Sequence, residues 1–442
     1  MITVTSHFSE KVVGEVLIPG DKSISHRSLM IGASAIGETK VKGLLESDDV
    51  IATVHALRCL GVDIEKDEKN GLWIISGRGV GGLSQSNKIL DLGNSGTAAR
   101  LLMGMVASHP FSTVFSGDSS LCSRPMERVL NPLKRMGAQF GELNIGYLPI
   151  TVFGTDLLKP ITEVLKIPSA QVKSAILLAG LNTIGKTTII EKQSTRDHTE
   201  NMLKDFGAEL VVEETEEGKA VILTGQPELL SNNVYVPGDL SSAAFIIIAA
   251  IIIPGSSISI KNVCLNHGRT GILETLREMG GKLEIQNIRE SGGERVGDIL
   301  ASYSQLSGVT VPASRAPSMI DEYPILSIAA ACASGKTIFE GVSELRVKES
   351  DRLATVSSGL SSCNIKVMET EDTLTINGVD VPEGGCKIPT NGDHRIAMAF
   401  LVLGMISRKP ITVDDVSMIE TSFPKFLEIM EDVGAKFSKE KG

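Results

Sequence analysis

Two patterns of apolar and polar positions recur along the chain. In the first, a few small polar residues open a stretch that is apolar nearly all round: "GDKSISHRSLMIGA" from Gly20, "GNSGTAARLLMGMVA" from Gly93, "PSAQVKSAILLAG" from Pro168, "GDLSSAAFIIIAA" from Gly238, "DEYPILSIAAACA" from Asp321 and "GDHRIAMAFLVLG" from Gly392. Small polar residues cap helix starts, and an apolar run without a polar face predicts a buried helix. In the second, an amphipathic helix ends on a residue that tolerates the left-handed turn before a strand. "LRCLGVDIE", "LKRMGAQF", "LKDFGAELVV", "LREMGGKLEI" and "EDVGAKF" do so with Gly61, Gly137, Gly207, Gly280 and Gly434, and "LSSCNIKV" does so with Asn364.

Each terminator follows its loop by about 40 residues, a regularity that predicts six copies of one α/β unit. β-branched runs such as "VVGEVLI", "LWIIS", "KTTIIE", "AVILTG" and "DTLTING" predict the intervening strands. A chain of 442 residues exceeds what one core supports, so the six units divide three and three, with a boundary near the second "PGD" at Pro237.

Two motif matches fail on context. "GLNTIGKT" (Gly180 to Thr187) fits the phosphate-loop pattern, but an apolar helix precedes it and the strand-like "TTII" follows, the reverse of the order that pattern needs. "GRGVGG" (Gly77, Gly79, Gly82) follows a strand but leads into the polar, aperiodic "LSQSNK", which predicts a surface turn.

Composition narrows the class. With 42% hydrophobic and 22% charged residues the chain reads as an ordinary globular protein. A net charge of -10, four Tyr and one Trp argue against nucleic acid. The longest apolar stretch, Ala243 to Pro254, is short of the roughly 20 residues that span a bilayer. The N-terminal "MITVTSHFSEKVVGEV" lacks signal or transit character, so cytoplasm is expected. Six scattered Cys without a CxxC pair or zinc spacing are expected to be reduced thiols, with no structural metal.

Charge is distributed unevenly among the six loops. The first carries Lys22, Ser23 and Arg27; its Gly238 counterpart has Leu240 and Phe245 where the cations would stand. "NSGTAAR" sets Gly96 and Thr97 at a helix start. "SRPMER" carries Arg124 before a proline, and "SAQVKS" offers Ser169 and Gln171. "STRDHTE" has Arg196 ahead of Asp197 and Glu200, a spacing that reads as a capping box. "ELRVKESDRL" contributes Lys348, Glu349 and Arg352, and "NGDHR" contributes His394 and Arg395. One such cation reads equally well as a solvated surface charge. Repeated at helix starts, where the dipole disfavours positive charge, they imply anionic ligands, two groups or more.

These phrases resemble the 5-enolpyruvylshikimate-3-phosphate synthase family. The match runs in order through "PGDKSISHR", "GNSGTAAR", "RPMERVLNPL", "SAQVKSAILLAGL", "TRDHTENML", "PGDLSSAAF", "DEYPIL", "ELRVKESDR" and "DHRIAMAF" to "TSFPKF". The resemblance implies an α/β fold of two inside-out domains, each three β-α-β-α-β-β units, with the active site in the interdomain cleft. Domain one is then 1–19 with 238–442, and domain two is the inserted 20–237. It implies transfer of the enolpyruvyl group of phosphoenolpyruvate to the 5-hydroxyl of shikimate 3-phosphate, with release of phosphate, on the way to chorismate and the aromatic amino acids. No metal or organic cofactor is implied, and a monomer is expected, with no nucleic-acid or membrane partner.

The same resemblance assigns roles. Asp321 is the base near the 5-hydroxyl, and Lys22 and Glu349 carry the proton transfers at the enolpyruvyl end. Shikimate 3-phosphate falls to Lys22, Ser23, Arg27, Ser169, Gln171, Arg196, Asp321 and Lys348; phosphoenolpyruvate falls to Lys22, Gly96, Arg124, Gln171, Arg352 and Arg395. On residue type alone Asp321 reads as a helix cap, Lys22 and Glu349 as members of surface ion pairs, and His394 as structural. Many members carry Lys immediately before the "(S/T)FP" phrase, where Thr421 stands here with Lys425 beyond it; this, with "RPMERVLNPL" and "TRDHTE", resembles the second of two family classes. Some glyphosate-tolerant members have Ala where this chain has Gly96.

Two alternatives stand beside this reading. A UDP-N-acetylglucosamine enolpyruvyl transferase resembles "KNAALP" at its first loop, where this chain has "DKSISHR". A non-catalytic phosphometabolite binder predicts loss of Asp321 or Glu349, and both are present.

Overall fold

Six small four-stranded sheets, each with its own helices, build the protein; the structure is a computed structural model that describes residues 2–441. Its contacts divide it into two compact units. One comprises Met1–Pro19, Pro237–Arg289 and Arg295–Gly442, the other Gly20–Val236 and Glu290–Glu294. The architecture is mixed α/β, the class that the sequence predicts.

Every sheet has the same plan. In the Gly20–Val236 unit, Leu90–Asp91 runs parallel to Ser112–Ser116 across the Gly96–Ala107 helix, and the antiparallel pair Gln139–Asn144 and Tyr147–Phe153 completes the sheet. The Thr162–Leu165 and Thr310–Val311 sheets repeat this order. Where a strand is missing locally, a distant segment fills the position. Val234–Tyr235 pairs parallel with Ile36–Lys42, and Val13–Leu17 pairs parallel with Ser257–Cys264. Ile2–His7 lies between Ile411–Val413 and Lys436–Lys441.

The six loops behave as helix starts. Asp21, Ser95, Ser169, Asp239 and Asp393 each cap the helix that follows, accepting from the backbone N–H of Ile24, Ala98, Val172, Ser241 and Arg395 at 2.8–3.4 Å. In the Asp321 loop the N-cap residue is Glu322 and no side chain caps, so Asp321 does not serve as a cap. The Leu240–Ile252 helix is buried along its whole length, as its unbroken apolar run requires. No helix of the described residues is long and apolar enough to cross a membrane. "GLNTIGKT" joins the Ala170–Leu181 helix to the Lys186–Glu191 strand, the inverted order expected of a false match.

All six terminators hold left-handed backbone, with φ of 88° at Gly61, 118° at Gly137, 93° at Gly207, 93° at Gly280, 62° at Asn364 and 118° at Gly434. That conformation turns each amphipathic helix back into its strand and selects Gly or Asn.

Two further glycines allow helices to touch. A Cβ on Gly104 would lie 2.1 Å from the Ala175 carbonyl oxygen, so the Gly96–Ala107 and Ala170–Leu181 helices pack backbone to backbone. A Cβ on Gly359 would meet the Phe400 ring at 2.3 Å, which brings the Arg352–Ser362 helix against His394–Gly404. Each close pair carries predicted site residues in its first turns.

Candidate active site

In the Gly20–Val236 unit the predicted residues gather at three helix starts. Lys22 is the first residue of the Lys22–Ser34 helix, and its Nζ lies 2.5 Å from Asp49 Oδ2, with 21% of the side chain exposed. Ser23 follows, and its carbonyl accepts from Arg27 Nη1 at 2.9 Å. Arg27 is buried: its Nε donates to Thr199 Oγ1 at 2.6 Å and its Nη2 to Ser174 Oγ at 2.7 Å, and the two hydroxyls bond each other at 2.6 Å. Burial, joined by the neighbouring Arg196, pushes this guanidinium down to about 10 against the pull of Glu200 and Asp21. It stays charged at neutral pH, held in one orientation.

Beside it, Gly96 opens a helix whose next turn brings Arg100 back over it. Arg100 Nη1 donates to the Gly96 carbonyl at 3.3 Å and to Gln171 Oε1 at 3.1 Å, while Nη2 donates to the Pro125 carbonyl at 3.2 Å. Gln171 Nε2 in turn donates to Thr97 Oγ1 at 2.9 Å. Arg124, also buried, donates from Nη2 to Asn94 Oδ1 at 2.6 Å and to Ser120 Oγ at 3.0 Å. The lack of a side chain at Gly96 leaves room for both cations: a Cβ there would stand 2.7 Å from Arg100 Nη1 and 3.4 Å from Arg124 Nη1. Ser169 caps the Ala170–Leu181 helix that carries Gln171.

Under Arg27 lies a closed ionic group. Lys173 Nζ contacts Glu191 Oε2 at 2.8 Å and Glu200 Oε1 at 2.6 Å, with Lys173 and Glu191 at 0% and Glu200 at 3% side-chain exposure. The capping-box reading of Asp197 and Glu200 is thereby corrected. Asp197 makes no side-chain capping bond to the His198–Asp205 helix, and Glu200 turns inward to Lys173 because an unpaired buried ammonium would cost more than a lost cap yields. Burial raises the Glu200 carboxyl above its ordinary 4.5, with Lys173 opposing. Between 4.5 and that raised value the folded protein keeps a proton that the unfolded chain has released, so stability falls as pH rises above about 4.5. Glu200→Gln is expected to flatten this slope in urea denaturation at stepped pH; an unchanged slope would place its origin elsewhere.

The other unit gathers Asp321, Glu349, Arg352 and Arg395 around one guanidinium. Arg352, at 1% exposure, reaches Asp393 Oδ2 through Nε at 2.7 Å, Glu349 Oε2 through Nη2 at 2.5 Å and Asp321 Oδ1 through Nη1 at 3.5 Å. Burial works against its charge, yet the carboxylates of Asp393 and Glu349, then Asp321, hold it above the ordinary arginine value. Asp393 also accepts from Ser350 Oγ at 3.1 Å and from the Arg395 backbone N–H. Arg395 Nη1 donates to the Asp321 carbonyl at 3.1 Å. Asp321 and Glu349 keep 20% and 23% of their side chains exposed, so the two carboxylates assigned proton chemistry are oriented and still open to a ligand. Lys348 lies in extended backbone just before this group, and His394 is buried at the helix start. Thr421 is buried and donates to the Met418 carbonyl at 2.7 Å.

Five contributors escaped sequence reading: Asp49, Arg100, Ser174, Thr199 and Asp393. All but Asp49 stand inside phrases singled out for other residues, and Arg100 had a legible signal, one helical turn beyond Gly96.

A family model described as EPSP synthase (3-phosphoshikimate 1-carboxyvinyltransferase) matches residues 7–430. The chain is 53% identical over 437 residues to a 3-phosphoshikimate 1-carboxyvinyltransferase of Paramagnetospirillum magneticum, covering 98% of each. An EPSP synthase structure from Acinetobacter baumannii superposes with a TM-score of 0.88 at 42% identity, covering 100% of both chains. The enolpyruvyl transferase NikO from Streptomyces tendae, at 16% identity and a TM-score of 0.80, shares the fold. Ten phrases in order, a repeated α/β unit and cation-bearing helix starts thus converge with sequence and structural likeness on one conclusion: the chain belongs to the EPSP synthase family, that of 3-phosphoshikimate 1-carboxyvinyltransferase.

Proposed function

We propose that this protein transfers the enolpyruvyl group of phosphoenolpyruvate to the 5-hydroxyl of shikimate 3-phosphate and releases phosphate. The observation that carries the reading is the group around Arg352, in which a buried cation orients two partly open carboxylates, Asp321 and Glu349, beside Arg395. Addition to an enol needs one group to take the hydroxyl proton, one to protonate C3, and cations to hold the departing phosphate. Asp321 takes the hydroxyl proton, and Lys22 and Glu349 serve the enol carbon and the leaving oxygen. Lys22, Arg124, Arg352 and Arg395, with Gly96 and Gln171, hold phosphoenolpyruvate. Lys22, Ser23, Arg27, Ser169, Gln171, Arg196 and Lys348 hold shikimate 3-phosphate. The same reading has the protein act in the cytoplasm as a monomer without metal or organic cofactor.

Phosphate release by the purified protein tests the proposal. Release requiring both substrates together is expected. Release from phosphoenolpyruvate alone, or with a UDP-sugar in place of shikimate 3-phosphate, overturns it.

Gly96 gives a finer test. Ala at this position must displace the Arg100 guanidinium, which a long side chain can do without unfolding the helix. Gly96→Ala is expected to raise KM for phosphoenolpyruvate roughly tenfold, about 1.4 kcal/mol, with Tm near that of the parent. An unchanged KM removes Gly96 from the phosphoenolpyruvate set.

A further inference from the structure

We propose that Cys363 and Cys386 form a modification site, a dithiol that closes to an intramolecular disulfide by exchange with a low-molecular-weight disulfide. Their sulfurs lie 3.1 Å apart across 23 residues of chain, against about 2.05 Å in a formed bond, so closure asks for roughly 1 Å of movement. Both belong to the same compact unit.

The two thiols differ in access and in acidity. Cys363 sits at the C-terminal cap of the Arg352–Ser362 helix, fully buried. Cys386 is half-buried, just before the Lys387–Ile388 strand and after Gly384 and Gly385, whose φ of 67° and 76° make a tight turn. The hydrogen bond between the two thiols holds Cys386 below its ordinary value and, with burial, drives Cys363 above it. An accessible, more acidic thiol beside a buried partner is the arrangement of an attacking and a resolving cysteine. Cys332, by contrast, is pushed up to about 12 by burial alone, which leaves it protonated and unreactive.

The chemistry balances in two displacements. The Cys386 thiolate attacks one sulfur of the small disulfide, breaking its S–S bond and expelling one thiolate. The Cys363 thiolate then attacks Cys386 Sγ in the mixed disulfide and expels the second. Two cysteines are oxidised, the small disulfide is reduced to two thiols, and those thiols take up the protons released by Cys363 and Cys386. The bridge encloses the Lys366–Glu369 and Thr373–Asn377 strands. It also ties the helix that begins at Arg352 to the segment leading into Asp393 and Arg395.

The test is a thiol count on the full-length reduced protein after incubation with excess glutathione disulfide, followed by denaturation, alkylation and mass measurement. Alkylated cysteines are expected to fall from six to four without a retained glutathione, and peptide mapping is expected to find Cys363 joined to Cys386. Cys386→Ser is expected to keep all five remaining thiols. That substitution lies at the half-buried position, so it serves even where Cys363→Ser disturbs folding. Six alkylated cysteines in the oxidised sample, a stable glutathione adduct on Cys386, or a bridge to another cysteine each overturns the proposal.

Discussion

Asp321→Asn is expected to lower kcat by roughly a hundred- to ten-thousand-fold while KM for phosphoenolpyruvate stays close to the parent value. The substitution preserves volume and leaves an oxygen to face Arg352 Nη1, now 3.5 Å from the carboxylate, but it removes the lone pair that takes a proton. Folding should be unaffected. Asp321 does not cap its helix, and the bond that Arg395 makes is to the backbone carbonyl of residue 321, which survives the exchange. Phosphate release with both substrates present, alongside a thermal melt, checks both halves of the expectation. A kcat within about tenfold of the parent would assign the base to another group.

The largest effect on stability is expected at Lys173, a residue with no assigned contact to substrate. Lys173→Met leaves Glu191 and Glu200 facing each other in a dry interior, and removal of one partner from a buried ionic group costs about 3–5 kcal/mol. For a unit of this size that corresponds to a fall in Tm of roughly 10 °C. The consequence reaches the site through adjacency. Ser174 follows Lys173, Thr199 precedes Glu200, and these two hydroxyls fix the Arg27 guanidinium. The variant should therefore also raise KM for shikimate 3-phosphate. Replacing Lys173, Glu191 and Glu200 together by Met, Leu and Leu should recover most of the lost stability, because no unpaired charge then remains. A single-variant Tm within about 2 °C of the parent, where roughly 10 °C is expected, would mean that water or a rearranged partner compensates the carboxylates.

Much of the architecture was legible because it rests on local rules repeated six times. A small polar cap, an apolar run and a left-handed terminator are decided by residues within a few positions of one another, and each copy reinforces the others. The closing strands were not legible. Nothing in "ITVTSH" or "VGEVL" says that the first runs between two C-terminal strands or that the second edges the Ser257–Cys264 sheet, since the vacancy each fills is created hundreds of residues away. The capping-box error has the same origin. Asp197 and Glu200 have the correct spacing, but a buried Lys173 outweighs a local cap.

By itself, then, the amino-acid order determined the repeated unit, the helix starts and the concentration of cations at some of them, because propensity, capping and dipole act over one or two turns. Only the tertiary structure decided what each cation faces. Arg27 lies against a hydroxyl pair, Arg100 bridges Gly96 to Gln171, and Arg352 sits among three carboxylates drawn from three segments. The Arg100–Gln171 and Arg352–Asp393 pairings depend on the helices that a missing Cβ at Gly104 and Gly359 allows to touch, and that close approach exists only once the chain has packed.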